Sequence, residues 1–146
     1  MQRRRVESRW LSEVWEVAGV LAGVEESAAP RVLVEDAALT QWLHPGFELE
    51  LRRDEAEGYY LNVGTDDPRV FVLWREQDGG AAPGFVTASY NEASRWMDGG
   101  AKVDSTAMPA ELLPWVGDFV TRHYRPEPRK RIKPRSFMHP KDRARA

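Results

Sequence analysis

Apolar and polar residues alternate most clearly in the segment from His44 to Glu76. Phe47, Leu49 and Leu51 alternate with charged residues, a period of two that places the apolar side chains on one face of a strand. The apolar phase returns at residues 59–63, after a charged segment that we interpret as a turn. This pattern predicts three consecutive antiparallel strands, the last of them at 69–74.

Short apolar runs bounded by turn residues predict further strands on both sides of this segment. A loop is expected at 78–84, where glycine, alanine and proline follow one another. The remaining predicted strands are Val6–Trp10, Val14–Leu21, Arg31–Glu35, Leu39–Leu43 and Phe85–Ala88.

Helical signals appear only after residue 88. Ser89 and Glu92 have the spacing of a capping box, which predicts a helix from about Tyr90 to Asp98. A second helix is predicted from about Ala110 to Tyr124, because its apolar residues follow one stripe at helical spacing. Pro114 has no N–H to donate, so the regular part of that helix is expected to begin near residue 113.

Strands followed by helices indicate an α+β fold. We expect a bent antiparallel sheet, or a small barrel, of about six to eight strands packed by the C-terminal helix. The order of elements is similar to that of a pleckstrin-homology fold. Residues 1–124 are predicted to form one domain, and residues 125–146, which contain four prolines and no apolar periodicity, are predicted to form an extended basic tail.

Charge and composition narrow the function classes. Residues 125–146 carry nine Arg or Lys and two acids, a charge of +7, whereas residues 1–124 carry twelve Arg or Lys and 21 acids, a charge of −9. The chain has no cysteine, which excludes disulfides, thiolate nucleophiles and cysteine-ligated metal sites within it. Neither a signal peptide nor a membrane-spanning segment is evident, so a cytoplasmic protein is expected.

Candidate reactive groups are few. His44 and the acids Asp54, Glu55 and Glu57 have ligand types that suit a metal or acid–base site. The favoured interpretation is that these acids face water at a turn, because catalytic carboxylates normally lie in a pocket. No histidine pair, nucleophile elbow or phosphate-binding glycine motif occurs, so we predict no catalytic residue, metal or cofactor.

The basic tail is the clearest candidate for binding. Arg129, Lys130, Arg131 and Lys133 form a dense cationic segment that could dock on an acidic protein surface, and Trp96 is a candidate apolar anchor. A solubilising tail and binding to nucleic-acid phosphates are the alternatives, and the acidic body opposes the second.

The order of several motifs resembles one protein family. The motifs are RRVESRW and VWEVAGVL near the N-terminus, HPGFELELRRDEAEGYYLN, DPRVFVLWR, VTASYNEASRWMDGG, MPAELLPWVGDFVTRHY and the basic PRKRIK. They are similar to those of the bacterial "domain of unknown function thirty-three oh five" family. The resemblance extends from Arg3 to about Lys133. Genes of that family typically lie beside those of molybdenum-dependent formate dehydrogenase. The resemblance therefore implies a role in the assembly, maturation or complex of that enzyme, and it supplies no catalytic residues.

Three functions follow as hypotheses. The first is a non-catalytic accessory or interaction protein associated with formate dehydrogenase or its maturation proteins. The second is a small enzyme or metal-binding protein that uses His44 and the acids of 54–57. The third is a nucleic-acid binder that acts through the basic tail.

Overall fold

A computed structural model describes residues 1–23 and 29–128 of the protein. This part of the chain contains seven strands, three α-helices and a 3₁₀ turn at Arg53–Glu55. The α+β prediction is therefore confirmed. The strands are β1 (Gln2–Arg5), β2 (Glu13–Glu16), β3 (Arg31–Glu35), β4 (Leu39–Leu43), β5 (Arg69–Gln77), β6 (Gly80–Thr87) and β7 (Lys102–Ala107); the helices are α1 (Ala56–Val63), α2 (Tyr90–Asp98) and α3 (Leu113–His123).

The seven strands form two antiparallel sheets instead of one bent sheet or a small closed barrel. The first sheet has the order β2-β1-β4-β3, and the second has the order β6-β5-β7. No backbone ladder connects the two sheets in the described part of the chain. A 2.8 Å hydrogen bond from the backbone N–H of Val17 to the side-chain carboxylate of Asp104 joins the loop after β2 to β7.

The predicted strand at 59–63 is wrong, because these residues belong to α1. Ala56, Tyr59 and Asn62 are buried at intervals of three, whereas Tyr60 and Leu61 are exposed. Residues three apart lie on one face of a helix, so the helix buries a face that the two-residue alternation did not show. The predicted strand at 47–51 is also wrong, since these residues have no ladder partner.

The main core lies where α1 and α3 pack against the second sheet. Its buried residues are Tyr59, Val70, Ala88, Met108, Val116 and Val120. The Tyr59 ring meets Phe119 edge-on, with the ring centroids 5.7 Å apart. Helix α1 is thus a structural support of the second sheet.

The boundaries near the second sheet show what the sequence pattern missed. The predicted loop at 78–84 is a tight turn in which Asp78 and Gly79 have φ of 51° and 75°, and β6 begins directly after it. Strand β7 was not predicted because Lys102 and Asp104 interrupt its apolar pattern. It lies at the edge of the sheet and pairs only with β5.

The helical predictions are confirmed for α2 and for the start of α3. Ser89 caps α2, and its hydroxyl accepts a hydrogen bond from Glu92 N–H at 3.1 Å. The reciprocal half of the capping box is missing, because Ser89 N–H donates to the Thr87 hydroxyl instead. Helix α3 begins at Leu113, with Pro114 in its first turn, as the missing N–H of proline required.

Candidate functional site

The predicted docking residues fall into two groups. Arg129, Lys130, Arg131 and Lys133 lie outside the residues that the structure describes. Trp96 lies on α2, where its half-buried ring packs against Phe85 of β6 with the ring centroids 6.4 Å apart. The structure therefore places the apolar candidate but not the cationic ones.

Phe85 and Trp96 form an aromatic surface that we call the Phe85–Trp96 patch. The Phe85 side chain is 59% exposed, although it belongs to a strand of the sheet. Strand β6 is an edge strand of the second sheet, so among residues 1–23 and 29–128 no strand pairs with its outer side, which lies next to the patch. An exposed aromatic side chain beside a half-buried one is the kind of surface that protein interfaces use as an anchor.

The segment that carries Trp96 is held in place by polar contacts to the 3₁₀ turn that leads into α1. Glu55 is buried, accepts a 2.5 Å hydrogen bond from the Ser89 hydroxyl and forms an ion pair with Arg95. Because Ser89 caps α2 and Arg95 lies one residue before Trp96, these contacts fix the position of the helix. The patch therefore has a rigid support.

The sequence pattern predicts that Asp54, Glu55 and Glu57 all face water at a turn. Asp54 and Glu57 are exposed, but Glu55 is buried and paired, so the interpretation holds for only two of the three acids. The turn itself is the 3₁₀ segment that leads into α1. Glu55 is committed to a structural contact between α1 and α2.

Arg52 and Glu92 add a second ion pair at the same junction. Their charged atoms are 3.1 Å apart, and the Glu92 carboxylate raises the pKa of Arg52 above its usual value. Glu92 also accepts a 2.9 Å hydrogen bond from the Thr87 hydroxyl. We refer to Arg52, Glu55, Asn62, Thr87, Ser89, Glu92 and Arg95 together as the polar junction.

Asn62 is the most densely bonded side chain of the polar junction. Its amide donates to the carbonyls of Arg69 and Ala88 at 2.7 and 2.8 Å, and its oxygen accepts from Arg69 N–H at 2.8 Å. Asn62 therefore ties α1 to the start of β5 and the end of β6. No sequence signal indicates this role, because a lone asparagine also fits a turn.

His44 does not belong to the polar junction. It follows β4, where its Nε2 atom is buried and has no hydrogen-bond partner among the described residues. Desolvation by burial lowers the pKa of the imidazole. In the described ranges 1–23 and 29–128, no three His, Asp or Glu side chains are grouped so that they could hold a metal ion.

His44 lines a cavity of about 580 Å³ that lies between the two sheets. The loop at 17–23, strands β3 to β6 and the first turn of α3 form its walls. Its lining is mostly apolar and includes Val17, Leu33, Trp42, Val72, Val86 and Trp115. Such a volume and such an apolar lining are typical of small-molecule sites, which occupy about 300–1,000 Å³.

A stacked tryptophan pair supports one wall of the cavity, and several apolar side chains of the lining are exposed to solvent. Trp42 stacks on Trp15 with the ring centroids 5.2 Å apart, which supports the wall formed by β4. Leu21, Leu33 and Trp115 are 67%, 50% and 46% exposed. The cavity therefore opens to the surface through a rim of large apolar side chains.

The sequence did not predict this cavity. Its walls come from segments that are distant along the chain, and no motif links them. The one available signal was the apolar run within the predicted strand Val14–Leu21, whose residues after Glu16 form a loop beyond the end of β2.

No α-helix in the described part of the chain is long and apolar enough to cross a bilayer.

Comparisons with known proteins place the chain in a family. Searches of curated proteins and of solved structures found no match. The family model described as "Protein of unknown function (DUF3305)" matches residues 1–133. Because this match covers most of the 146 residues, the chain belongs to the DUF3305 family.

Proposed function

We propose that this protein is a non-catalytic accessory or interaction protein of molybdenum-dependent formate dehydrogenase. It would act in the cytoplasm, in the assembly or maturation of the enzyme or as a subunit of its complex. The link to this enzyme is what the family resemblance implies. The observation that carries the interaction role is the Phe85–Trp96 patch, an exposed aromatic surface on a rigid support.

The aromatic patch suits a protein partner for two physical reasons. Aromatic side chains bury a large apolar area and lose little conformational entropy when they bind. In addition, the polar junction already holds α2 in place, so binding at Trp96 does not have to order the helix. We therefore expect the patch to supply affinity.

The basic tail is proposed to supply attraction at longer range. Residues 125–146 carry a charge of +7, which favours an acidic partner surface. Attraction between exposed charges acts mainly on the rate of association and weakens as salt screens it. We therefore assign Arg129, Lys130, Arg131 and Lys133 to the first encounter with the partner.

The patch is tested by affinity purification from the native host, with mass spectrometry of the proteins that co-elute. Wild-type protein should recover formate dehydrogenase or one of its maturation proteins. Trp96→Ala should reduce that recovery about tenfold, since aromatic anchors of interfaces contribute about 1–2 kcal/mol or more. Trp10→Ala is the matched control, because Trp10 is 90% exposed and lies in the loop between β1 and β2.

Recovery of the same partner by wild type and by Trp96→Ala would remove the patch from the proposal. Failure of wild type to recover any formate dehydrogenase component would contradict the proposed association itself. Circular dichroism and thermal unfolding of both tryptophan variants show whether the fold is retained.

The tail is tested with Arg129→Gln, Lys130→Gln, Arg131→Gln and Lys133→Gln combined in one variant. At low ionic strength this variant should bind the partner more weakly than wild type does. The difference should shrink as salt increases, because screening removes the attraction from the wild type as well. Equal binding at all salt concentrations would show that the tail takes no part.

A further inference from the structure

Strand β3 differs from the other edge strands of the two sheets. All five of its residues, Arg31–Glu35, are exposed, whereas the edge strands β2, β6 and β7 each contain half-buried or buried residues. In the described ranges 1–23 and 29–128, no strand pairs with the outer side of β3. Both faces and the outer edge of β3 are therefore accessible to a partner.

The centre of β3 is apolar although it is exposed. Val32, Leu33 and Val34 are 48%, 50% and 40% exposed. Edge strands of soluble proteins normally carry charged residues or proline, which discourage pairing with another chain. Strand β6 follows this rule, because Pro83 has no backbone N–H to donate. In β3 the charges lie only at the two ends, so its centre lacks this protection.

The apolar surface continues beyond the strand. Leu33 also lines the cavity between the sheets. The exposed side chains of Leu21, Phe47 and Trp115 line the same cavity. A large exposed apolar surface on a soluble protein marks a place that another surface covers. Strand β3 and the rim of the cavity together form such a surface.

The ends of β3 carry opposite charges. Arg31 begins the strand, and the acids Glu35 and Asp36 stand at its other end. No ion pair joins any of these three side chains to another residue of the described ranges. A strand with one basic end and one acidic end is complementary to an antiparallel copy of itself.

We propose that a second copy of this chain covers β3, and that the two copies of the strand pack antiparallel about a two-fold axis near Leu33. In such a symmetric interface the same surface of both copies is used, so the two apolar centres meet. Arg31 of each copy comes to the acidic end of the other copy, and the attraction forms twice. A parallel arrangement would bring like charges together at both ends.

Apolar contact supplies most of the affinity in this interface. A bulge between Val32 and Val34 restricts regular backbone pairing along the strand, and exposed ion pairs contribute little affinity. The charges instead select the antiparallel orientation. Because a five-residue strand and a cavity rim form a small interface, we expect a dimer in the micromolar range. The interface is independent of the Phe85–Trp96 patch, which lies on α2 and the second sheet.

The first test is sedimentation equilibrium of the purified full-length protein. Wild type should change from monomer to dimer between about 1 and 300 micromolar. Arg31→Glu and Glu35→Arg should each weaken the dimer about tenfold, because each variant places like charges at both ends of the interface. Glu35 is exchanged in preference to Asp36, because the Asp36 carboxylate accepts hydrogen bonds from the turn before β4.

The charge variants also test the orientation. An equimolar mixture of Arg31→Glu and Glu35→Arg should dimerise about as well as wild type, because a strand with two acidic ends then meets one with a reversed basic end. The double variant with both exchanges should dimerise by itself, since its ends remain opposite in charge. Circular dichroism shows whether each variant retains the fold.

A second pair of variants tests the apolar centre. Leu33→Lys should weaken the dimer at least tenfold, because it removes apolar contact and places two like charges near the axis. Leu61→Lys is the matched control, since Leu61 is 44% exposed but lies on α1. This control should dimerise as wild type does. The tail variant with four glutamines should also dimerise, because the tail takes no part in the interface.

Four results would overturn the proposal. They are a wild type that stays monomeric over the whole concentration range, charge variants that dimerise as wild type does, a mixture of the two charge variants that forms no dimer, and loss of the dimer in the tail variant. The last would assign the association to attraction between the basic tail and the acidic body. None of these results bears on whether the Phe85–Trp96 patch binds formate dehydrogenase, so the two proposals fail separately.

Discussion

The polar junction and the cavity use their polar groups in opposite ways. In the junction, the carboxylate of Glu55 and the amide of Asn62 are paired with neighbouring elements of the fold. Beside the cavity, Nε2 of His44 is buried without a partner among the described residues, and large apolar side chains at the cavity rim are exposed. Of the acids that suggested chemistry, Glu55 is committed to a structural contact, whereas Asp54 and Glu57 face water. The capacity to bind lies instead in surfaces that are mostly apolar.

The largest expected effect is the loss of Asn62 from the polar junction. Asn62→Ala leaves two backbone carbonyls and one N–H without their partner. We expect a destabilisation of about 2–4 kcal/mol, since each unsatisfied group costs about 1–3 kcal/mol when it is buried and less when water reaches it. Urea unfolding at pH 7 measures the change.

Asn91→Ala is the control for this measurement. Asn91 lies in the first turn of α2 and is half-buried, and its side chain makes no hydrogen bond among the described residues. The free energy of unfolding of this variant should stay within about 0.5 kcal/mol of wild type. Similar losses in both variants would refute the structural role of Asn62.

Gly58 tests how closely the two helices of the junction approach. A Cβ at this position would lie 2.0 Å from Oγ of Ser89, the side chain that caps α2 and bonds Glu55. Gly58→Ala should therefore destabilise the protein by about 1–3 kcal/mol, the usual cost of overpacking. The same change at Gly117 in α3, where a Cβ meets open space, should stabilise it by about 0.5–1 kcal/mol, because alanine favours a helix over glycine.

The two glycine variants are compared by urea unfolding under one set of conditions. Opposite signs are the predicted result. Stabilisation by Gly58→Ala would mean that α1 and α2 are not in close contact at Ser89.

Replacing His44 should change the free energy of unfolding in the opposite direction to replacing Asn62. His44→Leu replaces an unsatisfied buried nitrogen by an apolar side chain, so we expect a gain of about 1 kcal/mol in the free energy of unfolding. The control is His123→Leu, because His123 is exposed near the end of α3 and its replacement should change stability by less than about 0.5 kcal/mol. A clear loss of stability in His44→Leu would show that His44 has a structural partner.

The pH dependence of stability gives the smallest effect. Burial lowers the pKa of His44 from its usual value of 6.5, so the folded protein favours the neutral ring. The unfolded chain binds the proton first, and stability should therefore fall as the pH drops from about 6.5 through the lower pKa of the folded state. The fall should be smaller in His44→Leu than in wild type when both are unfolded in urea at pH 7.5 and 5.0. Equal falls would assign the effect to other groups.

Local signals along the chain predicted several elements with their correct bounds. Strands β3 and β4 follow short apolar runs between turn residues, and the bounds of α2 follow from Ser89 and the two glycines after Asp98. The first turn of α3 follows from the missing N–H of Pro114. In each case a neighbouring residue in the sequence determines where the element begins or ends.

Features that depend on distant segments were not predictable. The pattern of Tyr59, Leu61 and Val63 predicts a strand where α1 forms, because these residues alternate, yet tertiary packing buries Ala56, Tyr59 and Asn62 instead. Tertiary contacts decided the outcome for this eight-residue segment.

The candidate sites divide in the same way. Trp96 could be chosen from the sequence as an apolar anchor, but its pairing with Phe85 depends on how α2 meets β6. The cavity depends on the separation of the two sheets, and only the fold shows that His44 lies among mostly apolar residues that line it. Residue types indicated the candidates, and only the fold showed which groups were already satisfied.

The most direct test of the central claim is the affinity between the purified protein and purified molybdenum-dependent formate dehydrogenase from the same host, measured by analytical ultracentrifugation at physiological salt. The account predicts a saturable complex of defined stoichiometry that is weakened about tenfold by Trp96→Ala and unchanged by Trp10→Ala, in the range expected for an aromatic anchor. The absence of any complex with the enzyme and with its maturation proteins at micromolar concentrations would contradict it.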